Sequence, residues 1–283
     1  MGIHQIWQKA RRFVPLWMYP LLAPVYRRER RKSISRLEDS DQAYLAKNPH
    51  VVAPGAELRF NVSGGAIDIA SFLESGRRLA NEIEATLAKF GANMPQMRTA
   101  LDFGCGCGRL LIEATRRWPM VKWYGCDVDA KAVQWCAENL PMVALVNLSL
   151  PPLPFAGEQF SFIFCGSVFT HLDEDRQDQW LRELSNRLEP GGYLLASVHG
   201  ETDWNSLPGW VVRKIRTSGF HFARTGADEG IHPDWYQVAW HTEAYIKQHW
   251  SEMIPVVGYI PQAFNGHQDV VVARKPLPRE TEQ

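Results

Sequence analysis

Apolar residues recur every three to four positions in two long segments of the chain. The first segment spans residues 72–90 and is followed by Gly91, a residue type that often ends helices. The second spans residues 173–188, and Asp173 at its start is suited to cap a helix N-terminus. This spacing predicts two amphipathic helices, each with one face turned toward a core.

Short apolar runs of strand length alternate with helical patterns in the middle of the chain. The helical patterns cover residues 109–118 and 130–139, and the strand candidates are residues 98–103, 121–127, 142–147, 160–165 and 193–198. Alternating strands and helices predict an α/β fold with a parallel sheet and helices on both faces.

The C-terminal part follows a different pattern. A helix is expected from Thr242 to Trp250, with Thr242 as its N-cap. Residues 256–264 and 267–275 then predict a final pair of strands. The segment 200–234 is too irregular to assign, and residues 276–283 form a polar tail.

The 283-residue chain is neutral overall, but its charges are unevenly distributed. Residues 1–36 carry nine basic residues and one acidic residue, a formal charge of +8, which leaves −8 on the rest. The apolar run from Phe13 to Tyr26 has 14 residues, whereas a spanning helix needs about 20. We therefore expect peripheral membrane contact through residues 1–36, with packing on the protein's own body as the alternative. The acidic body disfavours a nucleic-acid partner.

The five cysteines all fall in patterns typical of buried strands or tight turns: Cys105, Cys107, Cys126, Cys136 and Cys165. Their odd number and the length of the chain favour reduced thiols and a cytoplasmic location, with any membrane contact at the inner face. Cys105 and Cys107 are not followed by a second Cys or His pair at ligand spacing. The sequence therefore predicts no metal site.

The segment from Asp102 to Arg109 reads D-F-G-C-G-C-G-R, directly after a predicted strand and before a predicted helix. The alternate glycines Gly104, Gly106 and Gly108 permit a tight turn and close approach of a ligand. The dinucleotide spacing G-x-G-x-x-G and the phosphate-loop string are both absent from the sequence. The pattern favours a ligand without phosphates at the carboxyl ends of parallel strands.

A second acidic position follows in register. Asp127 ends the next predicted strand, 19 residues after Gly108. A carboxylate at this place can accept hydrogen bonds from both hydroxyls of a ribose. The alternative role, capping the next helix, is expected of Asp129 rather than Asp127.

Four motifs in this order resemble the class I S-adenosylmethionine-dependent methyltransferases: LDFGCGCGR, YGCDVD, PPLPFAGEQFSFIFCGSVFTHL and RLEPGGYLLASV. The resemblance covers residues 98–198 and implies S-adenosyl-L-methionine as the cofactor. It also implies a Rossmann-like, doubly wound, mostly parallel seven-stranded sheet with helices on both faces, plus a helical N-terminal extension. The expected domains are residues 1–71 (basic, aromatic extension and flap), 72–275 (methyltransferase domain, with 200–234 as an acceptor-side insertion) and 276–283 (tail).

The family places the glycine turn along the amino-acid part of the cofactor, an acidic residue at the ribose, and the residues after the third strand beside adenine. By resemblance, the cofactor contacts are Asp102, Gly104, Cys105, Gly106, Asp127, Val128, Asn147, Leu148, Cys165 and Gly166. The chain departs from the family at one place. Many relatives carry an Asp that holds the adenine amine, and this chain has Asn147, Leu148 and Ser149 there instead.

Methyl transfer from a sulfonium is an in-line displacement, so the protein mainly supplies orientation, and a base when the acceptor is a hydroxyl. His171, after the fourth strand, and His199, at the end of the fifth, are the candidate catalytic bases. His241 is expected to pack or cap. His232 and Asp234 are too few to form a metal site.

The basic aromatic extension favours a hydroxyl acceptor on a glycan, a glycolipid or a small molecule. The alternatives are small-molecule N-methylation and a methyltransferase-like module that binds the cofactor without turnover. Residues 224–230 are a candidate lid, and Arg59 in the segment 59–65 is a candidate part of a flap over the cofactor. An acceptor pocket, or ordinary packing over the sheet, is expected of Trp204, Trp210, Phe220, Phe222, Trp235, Tyr236 and Trp240.

Overall fold

The computed structural model describes residues 19–204, 207–223 and 235–278. Several sequence expectations concern residues outside these ranges. They are the first half of the basic extension, the candidate lid at 224–230, the pair His232 and Asp234, and the end of the polar tail.

Seven strands form one sheet in the order β3-β2-β1-β4-β5-β9-β8. Strands β1 to β5 pair in parallel, and β9 pairs antiparallel with both β5 and β8. This mostly parallel sheet confirms the predicted α/β fold class. The strands are β1 (Thr99–Phe103), β2 (Lys122–Asp127), β3 (Val143–Val146), β4 (Phe160–Cys165), β5 (Leu188–Val198), β8 (Val256–Phe264) and β9 (Gln268–Arg274).

The helices begin and end close to the predicted positions, and the predicted caps are present. Asp173 accepts a hydrogen bond from the Arg176 amide (2.9 Å), and Thr242 accepts one from the Tyr245 amide (3.2 Å). The helices are α1 (Tyr19–Lys47), α2 (Ala56–Ser63), α3 (Ile69–Lys89), α4 (Leu111–Arg117), α5 (Ala130–Asn139), α6 (Glu174–Arg187), α7 (Glu201–Trp204), α8 (Gly209–Ser218) and α9 (Glu243–His249).

Two apolar cores lie on the two faces of the sheet, because successive strand residues point to opposite sides. On one face, Leu101 and Ile163 pack with Trp180 of α6. On the other face, neighbouring strand residues such as Phe162 pack with Ile83 of α3. The helices therefore cover both faces, as the alternating pattern predicts.

Two features differ from the sequence prediction. Strand β5 begins at Leu188, five residues before the predicted start, because Leu188 pairs with Phe160 across a register shift. The segment 200–234, which could not be assigned, contains α7, α8 and β6 (Phe220–Ala223), and β6 pairs with β7 (Val238–His241), which follows that segment. These strands have four residues each and contain buried histidines, which hides the apolar signal of a strand.

The described part of the N-terminal extension forms α1 and α2, which pack on each other through Ile34 and Phe60. No helix within the described residues has a stretch both long and apolar enough to cross a bilayer.

Candidate active site

A cavity of about 170 Å³ opens at the carboxyl ends of β1 to β4. This is the edge of an open parallel sheet where ligands usually bind. The residues that follow each strand supply the wall, and nine of the ten predicted cofactor contacts line it: Asp102, Gly104, Cys105, Gly106, Asp127, Val128, Asn147, Leu148 and Gly166.

The glycine turn after β1 has the backbone that its sequence predicts. Gly104 and Gly106 have φ of +79° and +51°, in the left-handed region that favours glycine. A Cβ on Gly104 would lie 2.3 Å from a methyl group of Val168, and one on Gly106 would lie 2.6 Å from a methyl group of Val62. The turn therefore has no space for side chains at either position.

Asp127 links the glycine turn to the second strand. One carboxylate oxygen accepts the Gly106 amide (2.8 Å) and the other accepts the Asp129 amide (2.9 Å). Asp129, as expected, is the N-cap of α5 and accepts from the amides of Lys131 and Ala132. The capping role thus falls to Asp129, and the Asp127 carboxylate is held at the cavity wall.

Asp102 is a buried acid at the same wall. Burial raises the pKa of its carboxyl to about 7, the nearby Asp127 adds to the rise, and Arg109 opposes it. Arg109 also lines the cavity, although sequence reasoning did not select it. The sequence feature that could have identified Arg109 is its position directly after Gly108, the third glycine of the turn. There it lies close to the buried acid Asp102.

Asn147 presents an amide that is only partly satisfied. Its side-chain nitrogen donates to the Leu148 carbonyl (2.8 Å), and its backbone amide donates to the Asp127 carbonyl (3.1 Å). Its side-chain oxygen is buried and has no hydrogen-bond partner within the described residues. A buried acceptor left alone costs free energy, so this atom suits a donor on a ligand.

Cys165 does not line the cavity, unlike the other nine predicted contacts. It is fully buried in the core with Phe103 and Trp180, because the last residue of β4 points into that face of the sheet. The lining residue is instead Ser167, two positions later, which the sequence analysis missed.

Ser167 has an unusual backbone, with φ of +57°. Its amide donates to the Ser197 hydroxyl (2.7 Å), and its hydroxyl donates to the side-chain oxygen of Gln268 (3.0 Å). The Ser197 hydroxyl also donates to that Gln268 oxygen (2.7 Å). A left-handed serine persists only where its surroundings hold it, and strands β5 and β9 supply that support here.

Trp235 and Tyr236 form an aromatic part of the cavity wall. The ring of His171 stacks on Tyr236, with centroids 4.0 Å apart and planes 16° from parallel. His199 lies next to His171, with ring centroids 6.2 Å apart. Both predicted bases therefore lie behind or beside this wall, and neither lines the cavity itself.

Backbone carbonyls orient both imidazoles. The Nδ1 atom of His171 lies 2.6 Å from the Gln237 carbonyl oxygen, and that of His199 lies 3.1 Å from the Ala239 carbonyl oxygen. A carbonyl oxygen can only accept, so Nδ1 carries the proton in each ring. In the neutral ring the basic lone pair is then on Nε2.

The third histidine near the site has a structural role, as the sequence analysis expected. His241 is fully buried, and burial lowers its pKa to about 3. Its Nε2 lies 3.0 Å from the side-chain oxygen of Gln177. Within the described residues, His, Cys, Asp and Glu nowhere form a group of three or more that could hold a metal ion.

The expectation for Arg59 needs correction, and the aromatic residues divide between the two alternatives given for them. Arg59 does not cover the cavity, because it is fully buried and its guanidinium donates to Asp41 (2.5 Å) and to the Pro54 carbonyl (2.5 Å). Asn61 and Val62 from the same segment line the cavity instead.

Of the seven candidate aromatic residues, only Trp235 and Tyr236 reach the cavity. Trp204, Phe220 and Trp240 lie in separate packing contacts, and Trp210 is 70% exposed.

The profile of the methyltransferase domain family matches residues 100–192, from β1 to the glycines of β5. Among curated proteins, the chain is 29% identical over 131 residues to an uncharacterized protein of Rickettsia prowazekii, covering 44% of this chain and 50% of that protein. It is 24% identical over 164 residues to the U6 snRNA (guanine-N(2))-methyltransferase THUMPD2 of Bos taurus, covering 53% of this chain and 32% of that protein. The chain thus spans half or less of these relatives.

Among solved structures, an O-methyltransferase family protein from Burkholderia thailandensis has a similar fold, with a TM-score of 0.50 and 14% identity. The likeness covers 74% of this chain and 60% of that chain. The family profile spans the strands that carry the glycine turn, Asp127, Asn147 and Gly166, and the sheet has the order and directions described above. Residues 100–192 therefore match a methyltransferase domain, and the sheet that carries them has the Rossmann-like fold of a structure from that class of proteins.

Proposed function

We propose that the polar atoms of the cavity hold the cofactor as the family resemblance implies. The Asp127 carboxylate suits the ribose hydroxyls, and the unpartnered Asn147 side-chain oxygen suits the adenine amine. The glycine turn, which has no space for a Cβ, leaves room for the amino-acid part of the cofactor. Arg109 and Asp102 also line the cavity and can pair with the carboxylate and the ammonium group of that part. Asn147 thereby takes the place of the Asp that many relatives carry.

We further propose that the acceptor is a hydroxyl group on a glycan, a glycolipid or a small molecule. The observation that carries this proposal is the tautomer of His171, whose basic Nε2 belongs to a ring stacked on the cavity residue Tyr236. A hydroxyl needs a base to become a good nucleophile. His199 has the same tautomer and is the second candidate.

The chemistry assigned to these residues is simple. When bound, S-adenosylmethionine supplies a methyl group that is already activated on a sulfonium. The Nε2 of His171 would take the hydroxyl proton while the methyl group passes from sulfur to the acceptor oxygen, so that the methyl–sulfur bond breaks and the sulfur leaves as a neutral thioether. Trp235 and Tyr236 hold the acceptor in line with that carbon and exclude water.

The test uses radiolabelled S-adenosylmethionine with lipid, glycan, RNA and small-molecule fractions of cells. Once an acceptor is found, His171→Ala or His199→Ala should lower kcat by about 100-fold or more while the affinity for S-adenosylmethionine stays unchanged. His249→Ala, a histidine paired with Asp178 away from the cavity, is the matched control. If both predicted bases are dispensable for a hydroxyl acceptor, the base assignment is wrong.

Transfer to a nitrogen is the second candidate, and the bovine relative named for guanine-N(2) methylation of U6 snRNA favours it. A neutral nitrogen needs no base, so His171→Ala and His199→Ala would leave its rate nearly unchanged. The same relative is the reason to include RNA among the fractions, although the acidic body of this chain disfavours nucleic acid.

We also propose that the basic extension contacts the membrane surface from the cytoplasmic side. Its described part supports this, since α1 exposes Val25 beside cations that include Arg27, Arg28, Arg31 and Lys32. Deletion to residue 40 would remove Ile34 from its contact with α2, so charge substitution is the cleaner test. Arg27→Gln, Arg28→Gln and Arg31→Gln together should release the protein from anionic vesicles at lower salt than wild type requires.

A further inference from the structure

Helix α8 presents an unusual outer face. Its inner side chains, Val211 and Ile215, are buried against Trp204 and Trp240. Side chains three and four positions apart share one side of a helix. The opposite side therefore carries Trp210, Arg213, Lys214 and Thr217, which together are called the α8 face here.

Trp210 lies in the first turn of α8 and is 70% exposed. Within the described residues it is the only aromatic side chain among the large apolar groups that remain exposed. A tryptophan ring has a large apolar surface and one polar N–H group. It is therefore most favourable at a boundary where the ring contacts apolar groups and the N–H contacts water. Its position on the outer side of α8 therefore points to a partner outside the chain.

The charges of the α8 face are all positive. Arg213 and Lys214 are exposed, and neither forms an ion pair with any residue that the structure describes. Arg216, which lies toward the side of the helix, differs because its guanidinium is 3.3 Å from the Glu201 carboxylate. Two cations without partners beside an exposed tryptophan favour a negatively charged partner.

We propose that the α8 face docks on an anionic lipid bilayer, with Trp210 at the level of the headgroups and Arg213 and Lys214 against the lipid phosphates and carboxylates. Tryptophan is enriched at membrane interfaces, and each Lys or Arg near an anionic surface contributes affinity that salt screens. This is a second contact, separate in the chain from the basic extension. Stable attachment to membranes generally takes two such signals.

A bilayer fits the α8 face better than a nucleic acid does. Single-stranded nucleic acids bind in grooves where several aromatic side chains stack on successive bases. The α8 face is the outer side of one helix and has a single aromatic ring. A flat, extended anionic surface matches that shape.

The inference concerns a surface away from the cofactor cavity, and it does not depend on the chemistry of the methyl acceptor. None of the four residues of the α8 face lines the cavity. Changes there should leave the affinity for S-adenosylmethionine at its wild-type value. Failure of this inference and failure of the proposed methyl transfer are therefore measured separately.

The experiment is co-sedimentation of the full chain with phosphatidylcholine vesicles that contain phosphatidylserine, at low salt. Arg213→Gln with Lys214→Gln should lower vesicle affinity about 25-fold, because each cation contributes about fivefold. Trp210→Ser should lower it about tenfold through loss of the interfacial ring. Pure phosphatidylcholine should bind the wild type weakly.

Matched controls come from exposed positions elsewhere. Lys89→Gln with Lys131→Gln removes two exposed cations, and Met120→Ser removes a side chain that is 87% exposed; both should keep wild-type vesicle binding. Thermal melts should be unchanged for all variants, since every position is at the surface.

The proposal is overturned if the wild type does not bind anionic vesicles, if the α8 variants bind like wild type, or if the controls lose as much affinity. It is also overturned if the α8 variants lose binding to single-stranded RNA but keep binding to vesicles. In that case the face is a nucleic-acid site.

Discussion

At the scale of single residues, Asp102 is a carboxyl group of the cavity wall whose ionisation depends strongly on its surroundings. It is 3% exposed, and burial raises the pKa of its carboxyl to about 7. A positively charged ligand in the cavity lowers that pKa again, because it favours the ionised carboxylate. Proton release from Asp102 is therefore coupled to binding of a cationic cofactor.

We expect the affinity for S-adenosylmethionine to rise with pH up to about 7 and to level off above it. Below this pH the free protein holds a proton on Asp102 that binding must release, and acid opposes that release. Isothermal titration from about pH 5 to about pH 8, in two buffers of different ionisation heat, measures both the affinity and the released proton.

The control is Asp102→Asn, which keeps the shape of the side chain and removes its proton. Its affinity should be lower at neutral pH and should lack the contribution of Asp102 to the pH dependence. S-adenosylhomocysteine keeps the ammonium group that Asp102 is proposed to face, so its affinity should rise with pH in the same way. An Asp102→Asn variant with the wild-type pH profile would contradict the coupling.

Single residues were predictable where their role depends on the local chain. Asp129 caps the helix that follows it, and the glycines form the turn that their spacing indicates. Ser167 escaped prediction because Gln268, 101 residues later, holds it in place. Cys165 was misplaced because the family motif identifies the end of β4 but does not say which side chain there turns toward the core.

At the scale of elements, the contact between α3 and the glycine turn fixes the floor of the site. Gly76 lies in the middle of α3, and a Cβ on it would be 2.2 Å from the Arg109 carbonyl oxygen. That oxygen belongs to the backbone directly after the third glycine, so it cannot move without the turn. Gly76 is thus a position where α3 lies against the glycine turn with no space for a side chain.

We expect Gly76→Ala to lower the free energy of unfolding by about 3 kcal/mol, the upper end of the range for overpacking. Helix propensity alone would give the opposite sign, since Ala is better than Gly by about 1 kcal/mol. Chemical denaturation measures the change. S-adenosylmethionine affinity should fall as well, because the turn is displaced.

Gly209→Ala is the matched control for this substitution. Gly209 lies in α8, and a Cβ on it would meet nothing within 4 Å. This variant should keep or slightly raise the stability. Equal effects of the two substitutions would mean that the close approach of α3 to the turn is not what makes Gly76 necessary.

Elements with a regular local pattern were predicted well, as was the C-terminal strand pair β8 and β9, whereas β6, β7 and the start of β5 were not. Helix α5 and strand β4 match their predicted residues because their apolar spacing is set locally. The first residues of β5 pair across a register shift that no sequence period reveals. Strands β6 and β7 pair with each other across a connection of fourteen residues, between 224 and 237, so each lacks a neighbouring turn signal.

At the scale of the whole molecule, cofactor binding should stabilise the fold. The cavity wall draws on residues that follow β1, β2, β3 and β4, so a ligand there ties four strands together. At about 100 times its Kd, a ligand adds about 2.7 kcal/mol to the free energy of unfolding. For a chain of this size we expect a Tm increase of roughly 5–10 °C, measured by differential scanning fluorimetry.

Asp127→Ala should lose most of that increase at the same cofactor concentration, because the ribose contact is gone. Arg98→Gln, an exposed residue paired with Glu189 away from the cavity, should keep it. A full Tm increase in Asp127→Ala would place the ribose elsewhere in the cavity.

The order of strands in the sheet was beyond local sequence patterns. The alternation of strands and helices predicts which segments are strands but not their order in the sheet. In the sheet, β9 lies between β5 and β8, although β8 comes earlier in the chain. The pairing of β9 with β5, from Tyr193 with Arg274 to Val198 with Asp269, and with β8 fixes this position.

The position of β9 has a consequence for how the chain matures during synthesis. Residues 268–274 leave the ribosome after β8, yet they cover the free backbone edge of β5, which was made some seventy residues earlier. Until then the nascent sheet exposes an unpaired edge that other chains can join. A messenger RNA truncated after β8 would yield a protein in which the edge of β5 stays unpaired. Such a protein should aggregate and be degraded in the cell, although it lacks only a short C-terminal segment.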